Sequence, residues 1–183
     1  MSTELDELRT KLAELEQKVE SLSERTPEDR ATIVMFSGDL DKILAGFVIA
    51  TGAAVAGLET SLFFTFWGLC ALKKPGAAAA KKNIKEQMFA MMTPSGSTSL
   101  GVSRMNFMGI GAKMLRSMMQ EKGIATLEEL MDVARDLGVK FIACTMSMDA
   151  MGITEAELVD GLEYGGVATY MADAARSKVT LFI

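Results

Sequence analysis

A strand–helix–strand run near the start of the chain restricts the fold more than any other feature. Ala31–Phe36 is a short apolar, β-branched segment that ends in Ser37-Gly38-Asp39. Asp39 suits the N-cap of a helix continuing to about Ala56, which Gly57 then stops. Glu59–Phe66 reads as a second buried strand. Two such strands joined through a helix are parallel neighbours, so an α/β fold with a parallel sheet flanked by helices is expected. A Met-rich helix is expected from about Ser103 to Lys122. Thr126–Leu137 is the best-signalled helix, with Thr126 and Glu129 as a capping box and Gly138 as its stop. Val139–Cys144 is the next strand. Thr154 opens a further short helix, Gly165-Gly166 precedes a helix to about Arg176, and Val179–Ile183 closes the chain as a strand.

Residues 1–26 follow another rule. Leu5, Leu8, Leu12, Leu15, Val19 and Leu22 alternate at 3-4 spacing, the a and d positions of a coiled coil. With Leu5 at a, Glu4 faces Arg9 of a second copy and Lys11 faces Glu16, which favours parallel in-register self-association. The alternative is an amphipathic helix docked on its own domain. Thr26-Pro27 marks the boundary, giving a coiled-coil-like helix at 1–26 and an α/β domain at 31–183.

Composition removes several functions. The chain has no histidine, which excludes Ser-His-Asp and Cys-His triads and most catalytic zinc sites. Of the net charge of −5, residues 1–30 carry −4 (nine acids, five bases), so the domain is nearly neutral and nucleic-acid binding is not expected. Two cysteines among 183 residues point to a reducing compartment, and the acidic N-terminus lacks the order of a signal peptide. A cytoplasmic protein is the expectation. Ile43–Leu72 holds a single charge, Glu59, but Gly57-Leu58-Glu59-Thr60 splits it below the roughly 20 continuous apolar residues of a spanning helix. It is read as a buried helix and strand, with peripheral membrane contact left open. Lys73-Lys74-Pro75-Gly76 and Lys81-Lys82 bracket four alanines and read as an exposed connection or helix start. Fifteen methionines at helix-like spacings fit adaptable core or a partner-binding rim better than a soft-metal site, so no metal and no cofactor is expected.

Ligands of parallel α/β sheets bind beyond the carboxyl ends of the strands. Three segments reach that edge: Ser37-Gly38-Asp39, Trp67-Gly68-Leu69-Cys70 and Cys144-Thr145-Met146-Ser147. Cys144 ends a strand, and a helix starting behind it would favour the thiolate. Thr145 and Ser147 are hydroxyl residues able to cap or donate hydrogen bonds there. Cys144 as a plain core residue is an equally open reading at this point. Cys70 is a possible second thiol if its Cα lies within about 7 Å of that of Cys144. Residues 94–101 fit a loop over this edge. Gly109-Ile110-Gly111-Ala112-Lys113 lies inside a helical pattern and lacks P-loop spacing.

Phe36-Ser37-Gly38-Asp39-Leu40-Asp41-Lys42, Phe64-Thr65-Phe66-Trp67-Gly68-Leu69 and the run Ala143-Cys144-Thr145-Met146-Ser147-Met148-Asp149-Ala150-Met151-Gly152-Ile153 together resemble the DsrE/DsrF-like family, closest to its longer, Met-rich branch. The resemblance spans about residues 31–183. It implies a flavodoxin-like fold, homo-oligomers, and sulfane sulfur carried on Cys144, with Ser147 and Gly152 at the matching following positions. Shorter relatives often carry a basic residue where Met151 stands. The implied activity is persulfide relay, a sulfurtransferase reaction, with a TusA-like sulfur carrier or a rhodanese-type donor as partner. Such exchange needs an accessible low-pKa thiol and no histidine. Two other functions remain: a non-catalytic oligomeric adaptor, membrane-docking or not, and a thiol redox sensor using Cys70 and Cys144.

Overall fold

The computed structural model describes residues 2–76 and 84–183 and contains a five-stranded, fully parallel sheet. The chain runs α1 (Ser2–Arg25), β1 (Glu28–Met35), α2 (Leu40–Val55), β2 (Glu59–Phe64), α3 (Ile84–Met92), α4 (Ile110–Glu121), α5 (Leu127–Asp136), β3 (Lys140–Cys144), α6 (Thr145–Met151), β4 (Glu163–Gly165), α7 (Val167–Ala174) and β5 (Ser177–Phe182). The strand order is β4-β3-β2-β1-β5.

That order fixes where the helices go. The connections β1→β2→β3→β4 step across the sheet in one direction, and β4→β5 returns across it in the other. Because parallel crossovers are right-handed, connections of opposite direction lie on opposite faces. Accordingly Phe47 of α2, Met131 of α5 and Met148 of α6 pack with Ile33, Met35, Leu62, Phe64, Phe141 and Ala143. Alternate strand residues Val34, Phe63, Ile142 and Cys144 form a second cluster, on which Tyr170 of α7 packs. The period of two along each strand divides one sheet into these two faces.

The first face is the main core. Phe47 is fully buried, its ring 5.4 Å from that of Phe141 and 6.1 Å from that of Phe64. Removing a side chain of this size from water contributes about 1.5–3 kcal/mol. The second face is thinner. No residue of α7 is fully buried, and its hold is Tyr170 against Phe63 at 5.3 Å plus an ion pair from Asp173 to Arg30 at 2.7 Å. Arg30 also meets Glu59 at 2.9 Å, so the amino edge of the sheet is tied by charge.

Several expectations change in detail. The Met-rich helix starts at Ile110 rather than Ser103, because Met105, Met108 and Gly109 have φ of 60°, 49° and 83°, which no α-helix tolerates. Gly109 therefore precedes the helix. Asp39 occupies the N-cap of α2, but its carboxylate accepts from Ser37 Oγ and Lys42 Nζ instead of capping a backbone N–H. Thr126 and Glu129 do form the capping box. The expected strand Glu59–Phe66 ends at Phe64, and β4 was not signalled, since three residues ending in glycine carry no alternation. Lys73 is buried rather than exposed and donates from Nζ to Thr93 Oγ1 at 2.9 Å; residues 77–83, with the alanine run and Lys81-Lys82, lie outside the described residues. Residues 43–72 fold as a helix, a strand and a 3-10 turn (Phe66–Leu72), and no helix among the described residues is long and apolar enough to cross a membrane.

Candidate functional site at the carboxyl edge of the sheet

The carboxyl edge is built around a close approach of the turn after β2 to the end of β1. After β2 the chain turns sharply at Phe66, whose φ of 46° lies in the left-handed region. Gly68 then donates its N–H to the Phe36 carbonyl at 2.9 Å and to the Thr65 carbonyl at 3.0 Å. A Cβ on Gly68 would run into the Met35 carbonyl oxygen, so only glycine lets the turn lie against β1. This contact draws Trp67 and Cys70 beside Ser37, Gly38 and Asp39.

Between them lies a cavity of about 500 Å³, lined by Ser37, Gly38, Asp39, Trp67 and Cys70, and also by Lys42 and Asn106. Ser37, Gly38, Asp39 and Trp67 of the predicted edge therefore share one cavity with Cys70, whereas Cys144, Thr145 and Ser147 do not line it. Ser37 Oγ donates to Asp39 Oδ2 at 3.0 Å, and Lys42 Nζ donates to the same oxygen at 2.8 Å. Burial pushes the Cys70 thiol up, against an opposing pull from the Lys73 ammonium. Lys42 and Asn106 were not singled out from the sequence. Lys42 stands one turn after Asp39 and was within reach of the pattern; Asn106 is brought in by a loop and was not.

Cys144 sits elsewhere on the same edge. It is the last residue of β3 and the N-cap of α6, and it is fully buried in the second-face cluster. Its register partner is Gly165, the last residue of β4. From Cys144 the chain leaves toward the first face, and from Gly165 toward the second. Adjacent strands whose exits diverge in this way form a topological switch point, the place where open α/β sheets hold ligands. Tyr170, one turn into α7, packs on the cluster that holds the thiol, its ring 5.3 Å from that of Phe63.

The supporting residues divide. Thr145 is exposed at the first turn of α6. Ser147 is fully buried, and its hydroxyl pairs with Thr65 Oγ1 at 2.7 Å; the extended Thr65 alternates onto the Phe63 side of the sheet and, one step past the Phe64–Ala143 register pair, stands beside Cys144. It ties α6 to the end of β2 and makes no hydrogen bond with Cys144. Gly152 ends α6 in the left-handed region (φ 63°, ψ 33°), a cap that glycine adopts without strain. Met151, beside it, is core and packs in the same cluster as Cys70. Both cysteines are free, and they belong to separate clusters on opposite faces of the sheet. Tyr170 and Thr65 were missed from the sequence, since their roles depend on crossover direction and on a contact between residues 82 positions apart.

Among the described residues no group of three or more histidine, cysteine, aspartate or glutamate side chains is placed to hold a metal ion.

A family model described as DsrE/DsrF/DrsH-like matches residues 27–182. The protein YrkE of Bacillus subtilis (strain 168), described as uncharacterized, is 47% identical over 154 residues, covering 84% of this chain and 96% of its own length. The sulfur carrier protein DsrE2 of Allochromatium vinosum is 33% identical over 163 residues, covering 85% of this chain and 99% of its own. A crystal structure of the ychN protein from E. coli aligns with 84% of this chain and 98% of that one, at 12% identity and a TM-score of 0.47.

Proposed function

Because the chain belongs to the DsrE/DsrF/DrsH-like family, we propose that it is a sulfane-sulfur carrier holding a persulfide on Cys144. The observation that supports this most is the position of Cys144 at the switch point between β3 and β4, at the start of α6. The Cys144 thiolate attacks the outer sulfur of a donor persulfide, R-S-SH. The donor S–S bond breaks, R-S⁻ leaves, and Cys144 holds the sulfur as Cys-S-SH. An acceptor thiolate then attacks that outer sulfur, takes it as its own persulfide and returns Cys144 as thiolate. The exchange is redox-neutral and needs no cofactor. Donor and acceptor would be small protein persulfides of the TusA-like or rhodanese type.

Because Cys144 is buried, loading requires the second face to open. The α7 segment is suited to this, since it contributes few buried contacts and local opening is drawn from such elements. The backbone N–H groups at the start of α6 would carry the persulfide anion. Ser147 acts indirectly, by holding α6 against Thr65.

The test is intact-mass analysis after exposure to a persulfide donor. Wild type and Cys70→Ser gain one sulfur atom, and Cys144→Ser does not. A second reading is favoured by one observation: Cys70, not Cys144, borders the 500 Å³ cavity. Under that reading loading survives Cys144→Ser and is lost in Cys70→Ser. A Cys144 alkylation rate no faster than that of an unperturbed buried cysteine, with no loading on either residue, would instead leave an adaptor.

A further inference from the structure

The 24-residue helix α1 leaves its apolar stripe uncovered by the domain that follows it. Leu8, Leu12, Leu15, Val19 and Leu22 are 60–67% exposed, although they form one continuous apolar stripe. The family match begins only at residue 27, so the helix lies outside the matched domain. Helices in proteins draw most of their stability from packing an apolar face, and this face is left in water. We propose that α1 forms a parallel, in-register two-stranded coiled coil with a second copy of this chain.

The charges beside the stripe select the partner and its direction. With Leu12 and Val19 at a and Leu8, Leu15 and Leu22 at d, leucine fills every described d position, as two-stranded coils prefer. In the parallel arrangement Glu4 meets Arg9 of the partner subunit, and Lys11 meets Glu16 of the partner subunit. Lys18 meets the neutral Ser23 of the partner subunit, so no flanking pair repels. An antiparallel pairing that layers Leu12 on Leu15 keeps Arg9 opposite Glu16, but sets Lys11 against Lys18 in both copies. The sequence thus favours a second copy of itself, in one direction.

The connection at Thr26-Pro27 determines what such a pair does to the carboxyl-edge sites. Each α1 leads directly into the amino end of β1, so a parallel coil brings the amino edges of two sheets together. The carboxyl edges lie a strand's length away, about 26 Å for eight residues at about 3.3 Å each. The tether therefore leaves both Cys144 edges free to meet partners. This inference does not depend on the sulfur chemistry.

Two experiments on the full chain test it. Leu15→Cys, at d, should form a disulfide-linked dimer rapidly under mild oxidation, while Gln17→Cys, at the outward f position, and wild type should not. Equal cross-linking at both positions, or at neither, would overturn the proposal. The second is a charge swap read by sedimentation equilibrium. Lys11→Glu and Glu16→Lys should each weaken self-association roughly tenfold by setting like charges opposite each other. Mixing the two variants should restore it, because the mixed pair regains both attractions. Failure of mixing to restore association, with helix content unchanged, would exclude the parallel register.

Discussion

The two faces of the sheet are made by the same strands yet differ in how firmly they are closed. Ile33, Leu62 and Phe141 lie under α2, α5 and α6, with Phe47 at the centre of three mutually close rings. Val34, Phe63, Ile142 and Cys144 lie under α7 alone among the described helices, through Tyr170. The cause is topological: three crossovers step one way and one steps back. The first face is therefore a scaffold, and the second is a door. Each cysteine takes its character from its face, Cys70 beside a cavity in the thick layer and Cys144 sealed beneath the thin one.

The largest way to break this contrast is through the scaffold. Phe47→Ala removes a fully buried ring and is expected to cost about 3–5 kcal/mol in denaturant unfolding. It should expose both thiols together, with Cys70 and Cys144 alkylated at the same accelerated rate. Tyr170→Ala is expected to cost less, about 2 kcal/mol, because the ring is only partly buried. Its signature is selectivity: Cys144 alkylation should rise at least about tenfold while Cys70 stays protected, since a local opening of about 1.4 kcal/mol changes a rate by that factor. Parallel acceleration of both thiols would mean that α7 is no separate door.

Ser147→Ala probes whether that door has its own latch. The change leaves the buried Thr65 hydroxyl without its partner, at a cost of about 1 kcal/mol. Because alternation along β2 puts Thr65 on the Phe63 and Cys144 side, the pair borders the thiol, and Cys144 alkylation should rise by less than in Tyr170→Ala. A matching rise in Cys144 reactivity would show that α6, not α7, controls access, and would give Ser147 the direct role expected from its motif.

The thick face was legible in the sequence because its signals are local. The β1–α2–β2 unit, the capping box of Thr126 and Glu129, and the handover from β3 to a helix at Cys144 all depend on residues a few positions apart. Helix α2 buries Leu40, Ile43, Phe47 and Ala50, one face at helical spacing, as the pattern required. The thin face was not legible. That Cys144 falls on the face opposite Phe141 and Ala143 follows from strand alternation, but that α7 covers this face follows only once β4 is known, and three residues ending in glycine do not announce a strand. The Met-rich segment misled for another reason. Met105 and Met108 adopt positive φ, which nothing in their side chains predicts, so an apparent helix begins with a turn. Family motifs placed Cys144, Ser147 and Gly152 together in sequence, whereas folding gives them three different surroundings.

The smallest expected effect concerns how the thick face behaves in acid. Burial alone would raise the Asp41 carboxyl, but hydrogen bonds from the Ser103 hydroxyl (2.6 Å) and the Ser103 N–H (2.8 Å) outweigh it and hold the group below its usual range. A carboxyl lowered in the folded state adds stability above its unfolded pKa, near about 3.9, and loses it as pH falls through the folded value. Asp41→Asn should therefore be less stable than wild type at about pH 6, by under about 1 kcal/mol for so partly exposed a pair, and the two should converge below about pH 3. Urea midpoints at the two pH values measure this. Since Asp41 fastens the loop before α4 to α2, the acid loss should loosen the wall of the Cys70 cavity and leave Tyr170 in place. A Cys144 whose alkylation tracked the same transition would show that the two faces are coupled.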